Sequence, residues 1–199
     1  MINVKIIGIG GHSRSLASNF HGNEINIVGY YDDKGNNEEF LLGKIKFLGF
    51  FNNVDWDSKL IIGVGDNNKR SFFYEKMKVV PPTLIHKAAI INNSNIRSGS
   101  QIFPKCFIGV NSIIGSNCII NTAAVIEHDS IISDNCHISV GTIICGNVHV
   151  GKNCFIGAGA VIKDNVTICN NVTIGAGSVI TKNIIEEGTY VGCPAKKIK

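Results

Sequence analysis

The sequence predicts a triangular parallel β-solenoid preceded by a small α/β domain, on three observations. Isoleucine or valine returns at every sixth position from Ile90 to Ile180. Behind these aliphatics run two further columns, one of Asn, Gly and Asp three places on and one of small residues four places on. Before residue 85 the hexads are absent, and apolar runs end instead in Gly-rich and Asp-rich segments.

With 199 residues, 44% of them apolar, the chain is long enough for one ordinary domain and a second small one. The net charge of +4, from 19 Lys and Arg against 15 Asp and Glu, is too mild and too scattered for a nucleic-acid footprint. A small polyanion suits it as a partner. The start, MINVKIIGIGG, has neither the basic region nor the cleavage site of a secretory signal, and no apolar run reaches the length of a membrane span. The expectation is a cytoplasmic protein without a membrane partner. Seven cysteines without a CxxC pair support neither a disulfide framework nor a zinc knuckle.

In the first domain, placed at residues 1–85, three strand candidates all end in loop-forming residues. Val4 to Ile9 runs into Gly10 and Gly11, Ile25 to Tyr31 into Asp32, Asp33 and Lys34, and Lys59 to Val64 into Gly65, Asp66, Asn67 and Asn68. That is the pattern of a small parallel sheet with ligand groups gathered at the carboxyl ends of its strands. The glycines of GIGGHS let backbone N–H groups approach a phosphate at a helix N-terminus. Ser13 stands where a dinucleotide fingerprint has its third glycine, so a mononucleotide or nucleotide sugar fits better than NAD. Asp32 and Asp33 are placed to accept bonds from a ribose or base edge, although DDKGNN suits a solvated turn equally well. Pro81 and Pro82 mark the linker, and LIHKAAI leads into the second domain, 86–199, with its short C-terminal tail.

That domain holds sixteen consecutive hexads, from Ile90 to the one beginning at Ile180. In fourteen of them the third place after the aliphatic is Asn, Gly or Asp, the exceptions being Lys105 and Ala123. These residues tolerate a left-handed backbone, so each hexad reads as a short strand and a tight corner, and three hexads make one triangular coil. Cys106, Cys118, Cys136 and Cys154 fall in the small column and read as buried fillers. His128 falls at a corner beside Asp129, which holds the left-handed place. His137 lies two faces further on, pointing out from the flat side opposite that corner. A prism edge is about 15 Å at about 3.3 Å per residue, so the two imidazoles of one chain meet no common atom and share a site only across subunits.

The combination of GIGGH, the LIHK segment, VIEHDSIISDNCHISVG and a VGCPAK tail resembles one family of hexapeptide-repeat acyltransferases. It is the family of sialic acid O-acetyltransferases and nucleotide-linked 4-amino-sugar N-acetyltransferases. The resemblance implies a left-handed parallel β-helix after a Rossmann-like α/β domain, a homotrimer, acetyl-CoA as co-substrate and no metal. Carried over by motif, it implies His128 as general base and Asp129 as its acidic partner. It implies His137, Ala158 and Ala176 at the acetyl-CoA site, and Gly10, Gly11, His12, Asp32, Asp33, Lys34, Gly65 and Asn67 at the nucleotide-sugar pocket. Backbone N–H groups near Gly146 are expected at the thioester oxyanion. Imidazole, with an ordinary pKa of about 6.5, suits the removal of a proton from an amine.

A Gly-rich pocket with an acidic pair is best used by a nucleotide diphosphate, which free sialic acid lacks. The expected reaction is therefore N-acetylation of the 4-amino group of a UDP- or dTDP-linked 4-amino-4,6-dideoxy sugar for bacterial surface glycans, with sialic acid O-acetylation as the alternative. Two remoter alternatives are a zinc carbonic anhydrase-like trimer, which needs three convergent imidazoles, and a non-catalytic nucleotide-sugar-binding protein.

Overall fold

The computed structural model describes residues 1–36 and 45–199, and the chain folds as two compact units, Met1–Leu84 and Ile85–Lys199. The first unit runs β1 (Ile2–Ile7), α1 (Gly11–Phe20), β2 (Ile25–Tyr31), β3 (Lys46–Gly49), a 3-10 turn at Phe51–Asn53, β4 (Leu60–Ile62) and α2 (Asn67–Lys76). Its four strands are parallel in the order β3-β2-β1-β4. Strand order reverses at β1, which opens a crevice beyond the carboxyl ends of β1 and its two neighbours. Ile6, Ile7, Ile27, Tyr30, Leu60, Ile61 and Ile62 are all buried, as a parallel sheet covered on both faces requires. Strand β3 was not foreseen; its four residues, KFLG, include no buried side chain and form an edge.

The fingerprint's missing third glycine has a structural counterpart. Ser13 Oγ donates to Gly8 O at 2.6 Å, and a Cβ on Gly63 would come within 2.6 Å of that hydroxyl. Close approach of α1 to the sheet is therefore supplied by a glycine on the β4 side.

In the second unit, hexad strands of two or three residues stack in three parallel sheets, with partners eighteen residues apart, as in Ile113↔Ile131, Ile119↔His137 and Val125↔Ile143, and the sheet of His137 is extended by Gly188–Gly192 and, antiparallel to it, Ala195–Lys197. The three sheets are named here by one strand each: the Val125 face, the Ile131 face and the His137 face. All corner residues from Asn93 to Gly177 have φ between 39° and 72°, Lys105 and Ala123 included. Geometry thus outranks residue preference at those two corners.

The aliphatic column fills the centre, with Ile102 to Ile162 at 0% exposure throughout. The small column has a chemical as well as a steric reason. Ser100, Ser112, Ser130 and Thr142 each donate a hydroxyl to the carbonyl fifteen residues later, at 2.7 to 3.1 Å. Cys106, Cys118, Cys136 and Cys154 use their thiols in the same way, at 3.0 to 3.2 Å. Burial pushes the Cys106 thiol up to about 11 and raises that of Cys136, so these two sulfurs stay protonated, while a hydrogen bond from Cys136 lowers that of Cys154.

The repeat fails at both ends. Ile90, the first aliphatic of the periodicity, is 58% exposed; Ile91 takes its place, pairing with Ile108 seventeen residues on. At the far end Val172 pairs with Gly188, sixteen residues on, and Asn183 is not left-handed. No described helix is long and apolar enough to cross a membrane.

Candidate functional site

His128 sits on the corner between strands Val125–Ile126 and Ile131–Ile132. Asp129 beside it has φ 58°, the conformation this corner requires. His128 Nδ1 lies 2.8 Å from Asp129 Oδ2, and Asp129 Oδ1 accepts from Asn111 Nδ2 at 3.1 Å. The hydrogen bond with His128, and after it that from Asn111, holds the Asp129 carboxyl below the usual carboxylate range. A carboxylate only accepts, so the proton of a neutral His128 belongs on Nδ1, and the Nε2 lone pair is presented as a base. The imidazole is 58% exposed, so a substrate can reach it.

Beneath the ring lies Gly146, eighteen residues on. A Cβ there would stand 2.6 Å from both Cε1 and Nε2 of His128. Gly146 is not among the left-handed positions, so the backbone does not demand glycine. The space does.

The remaining residues expected at this site lie elsewhere on the same chain. Ala158 and Ala176 are exposed on the corner that carries Gly141, Gly159 and Gly177. His137 lies on the His137 face, paired with Ile119 and Phe155, and contributes to neither corner. Its side of the strand is the outward one, but it is only 8% exposed, set edge to face on Phe155 at 5.2 Å with Nε2 3.4 Å from Asn121 Nδ2. One chain therefore brings together His128, Asp129 and Gly146 and leaves His137, Ala158 and Ala176 apart from them. A cleft of about 270 Å³ at the C-terminal end of the solenoid carries Lys182 and Lys196 with Tyr190 and Pro194. Lys182 belongs to the same corner as His128, three coils further on. Among the described residues no three His, Cys, Asp or Glu side chains group to hold a metal ion.

The first unit has its own cavity, of about 750 Å³, at the carboxyl ends of β1, β2 and β4. Gly10, Gly11, His12, Asp32, Asp33, Lys34 and Gly65 line it. A Cβ on Gly10 or Gly11 would meet nothing within 4 Å, so these glycines face open space that a ligand can fill. No side chain caps α1, and the N-terminal end of a helix favours an anion. Lys34 and Lys69 add positive charge, and Phe51, Phe72 and Phe73 add an apolar wall. Cation and flat apolar surface together suit a ligand with a charged part and a planar part.

Three details differ from the expectation. Asp32 is 7% exposed and spends both oxygens on backbone, Oδ2 accepting from Ile9 N at 2.9 Å and Oδ1 from Lys34 N at 2.7 Å. It braces the glycine loop and the turn. Asp33, exposed, uses Oδ1 to accept from Phe51 N at 2.9 Å, which sets Phe51 at the cavity. Asn67 does not line the cavity; its Oδ1 accepts from Arg70 Nη2 at 2.9 Å, while Arg70 Nη1 donates to Gly65 O at 2.9 Å. Its neighbours Asn68 and Lys69 line the cavity instead. The aromatic wall was missed because Phe51 and Phe72 are distant in sequence and converge only in the fold.

Residues 3–77 match the PglD N-terminal domain, and residues 129–164 and again 147–182 match the bacterial transferase hexapeptide (six repeats). Among solved structures, the chain is similar to the acetyltransferase domain of PglB from Neisseria gonorrhoeae FA1090, at 29% identity over 100% of both chains and a TM-score of 0.87. The same domain in complex with acetyl coenzyme A matches at 29% identity over 98% of each chain, with a TM-score of 0.85. A variant of perosamine N-acetyltransferase from Caulobacter crescentus, solved with CoA and GDP-perosamine, shares the fold at 24% identity, covering 99% of this chain and 97% of that one with a TM-score of 0.87.

Proposed function

We propose that this chain, which joins a match to the PglD N-terminal domain to hexapeptide repeats and is similar to solved sugar acetyltransferases, acetylates the 4-amino group of a UDP- or dTDP-linked 4-amino-4,6-dideoxy sugar. The product serves bacterial surface glycan biosynthesis. The observation that carries this reading is the His128–Asp129 pair seated over Gly146.

The sugar amine, neutral and in reach of His128 Nε2, attacks the carbonyl carbon of the acetyl thioester. A C–N bond forms, the carbonyl becomes an oxyanion, and Nε2 takes the proton that the nitrogen loses. Collapse re-forms the carbonyl, breaks the C–S bond, and returns the proton from His128 to the departing thiolate. Asp129 holds the ring in the Nδ1–H form throughout. Backbone N–H groups near Gly146 are the proposed donors to the oxyanion. The cavity between α1 and α2 takes the nucleotide diphosphate, with Gly10, Gly11 and Lys34 toward its phosphates, His12, Asp33 and Gly65 around it, and the phenylalanine wall against its base. Lys182 and Lys196 meet phosphates of CoA.

The working form is a homotrimer. The outward column of the Val125 face is wholly apolar, Phe107, Val125, Ile143, Val161 and Val179, and every member is at least partly exposed. The corner of His128 borders this face on one edge, and the corner of Ala158 and Ala176 borders it on the other. Packing three such faces around an axis sets His128 of one protomer beside Ala158 and Ala176 of the next, which completes an acetyl-CoA site that one chain leaves divided. His137 joins this site from the adjoining face. The same reading takes the solenoid as left-handed, the first unit as Rossmann-like from its 3-2-1-4 strand order, and the location as cytoplasmic from its seven free thiols.

The test is thiol release from acetyl-CoA in the presence of UDP-, dTDP- and GDP-linked 4-amino-4,6-dideoxy sugars, with free and CMP-linked sialic acid alongside. Turnover with a UDP- or dTDP-linked amino sugar is expected. Turnover confined to sialic acid contradicts the reading of the first unit's cavity, and turnover confined to the GDP-linked sugar contradicts the assignment of the base.

A further inference from the structure

Side-chain amides at the corner of Asn135 run in one direction. Each Nδ2 donates to the Oδ1 eighteen residues later, Asn117 to Asn135 at 2.7 Å, Asn135 to Asn153 at 2.9 Å and Asn153 to Asn171 at 3.0 Å. The corner of Asp129 runs the same way, Asn111 donating to Asp129 at 3.1 Å and Asn147 to Asn165 at 2.8 Å. A carboxylate cannot donate, so the ladder ends at Asp129. One oxygen of Asp129 is the ladder's acceptor, and the other is turned to His128.

We propose that Asn111 is a positioning residue for the His128–Asp129 pair: its amide anchors Asp129 Oδ1, so that Oδ2 meets His128 Nδ1 and Nε2 faces outward. The bland account of Asn111 is that its left-handed corner, φ 59°, simply favours asparagine. That account covers the residue type but not the bond, because Lys105 and Ala123 adopt φ 62° and 58° without an amide. The corner forms either way, and the amide is available to orient the carboxylate. Around the ring, the rung before presents Val110 and the rung after Gly146, neither titratable, and Glu127 flanks it on its own corner. Asp129 is the carboxylate that reaches the imidazole.

The catalytic consequence rests on the proposed role of His128 as base, so the test separates the two. Asn111→Gly suits a left-handed corner outright, and Asn111→Ala is held there as Ala123 is. In each, the histidine side-chain NMR of the full protein is expected to show His128 moving from a single Nδ1–H tautomer to a mixture. With acetyl-CoA and the nucleotide-linked amino sugar, kcat should fall about tenfold with both KM values within about twofold. In an Asp129→Asn background the Asn111→Ala change should cost no more than about twofold. An unchanged tautomer, or a rate loss as large in the Asp129→Asn background as in wild type, overturns the proposal. His128→Ala is run in parallel: if it keeps the wild-type rate the base assignment fails, and the NMR result alone then decides the role of Asn111.

Discussion

Two corners of the solenoid have the same backbone and different chemistry. Asn117, Asn135, Asn153 and Asn171 form an unbroken ladder of side-chain amides, each satisfying the next. Asn111, Asp129, Asn147 and Asn165 occupy equivalent places on another corner with nearly the same φ, yet one rung is a carboxylate and the residue before it is a half-exposed imidazole. The ladder shows what the fold asks for at such a position. The departure from it shows what the fold does not ask for. Function is to be sought where a residue does more than the repeat needs, and Asp129, which suits its corner's backbone, breaks the donor chain and turns an oxygen to His128.

Four substitutions sharpen or break this contrast. The largest effect is expected at the interrupted corner: His128→Ala should lower kcat by about 10³-fold, within the range of a lost general base, and leave the melting temperature nearly unchanged because the ring is exposed. A steady-state assay beside a thermal melt checks both. Next, Gly146→Ala places a methyl 2.6 Å from His128 Nε2, so the ring must swing away; a fall in kcat of about 30-fold without loss of fold is the expected result.

At the unbroken corner the balance reverses. Asn135→Ala removes one donated and one accepted side-chain bond and puts alanine at φ 61°. Chemical unfolding should show a loss of about 1–3 kcal/mol, with the turnover per folded protein intact. The smallest effect carries the same logic into the first unit. Gly11 has open space where a Cβ would stand and no left-handed backbone, so, unlike Gly146, neither its backbone nor its neighbours in the chain require glycine. Gly11→Ala should raise KM for the nucleotide sugar about threefold to tenfold and leave KM for acetyl-CoA and the stability alone.

The two units were unequally legible in the sequence. The solenoid repeats one local decision, a two-residue strand and a left-handed corner, so every hexad corroborates the others and even Lys105 and Ala123 are carried along. Its ends were hidden because a period does not say where coils cease to be complete; Ile90 keeps the spacing but loses the core. The pair His128–Asp129 was readable because adjacent residues at a corner need no tertiary knowledge to be placed together. Asn111 was not, since it passes for one more corner asparagine until its amide is seen on Asp129.

The α/β unit, by contrast, depends on loops that meet only in the fold. Its glycines were legible from a motif, but Asp32 turns inward to backbone N–H groups while Asp33 turns outward, and no spacing distinguishes two adjacent acids. A one-residue choice at the start of α2 likewise separates Asn67, held by Arg70, from Asn68, which lines the cavity.

The most direct measurement is the Asp129→Asn variant, assayed for turnover and melting temperature together. Asparagine restores the rung that Asn135 supplies on the other corner, so the fold should be as stable as wild type or slightly more so. Hydrogen bonds from His128 and Asn111 hold Asp129 below the usual carboxylate range, so it is charged at neutral pH and its neutral replacement tests that charge. We expect kcat to fall about 10²-fold with unchanged KM values. Wild-type turnover in a stable Asp129→Asn protein would mean that Asp129 is only a corner residue, and the difference between the two corners would then have no catalytic meaning.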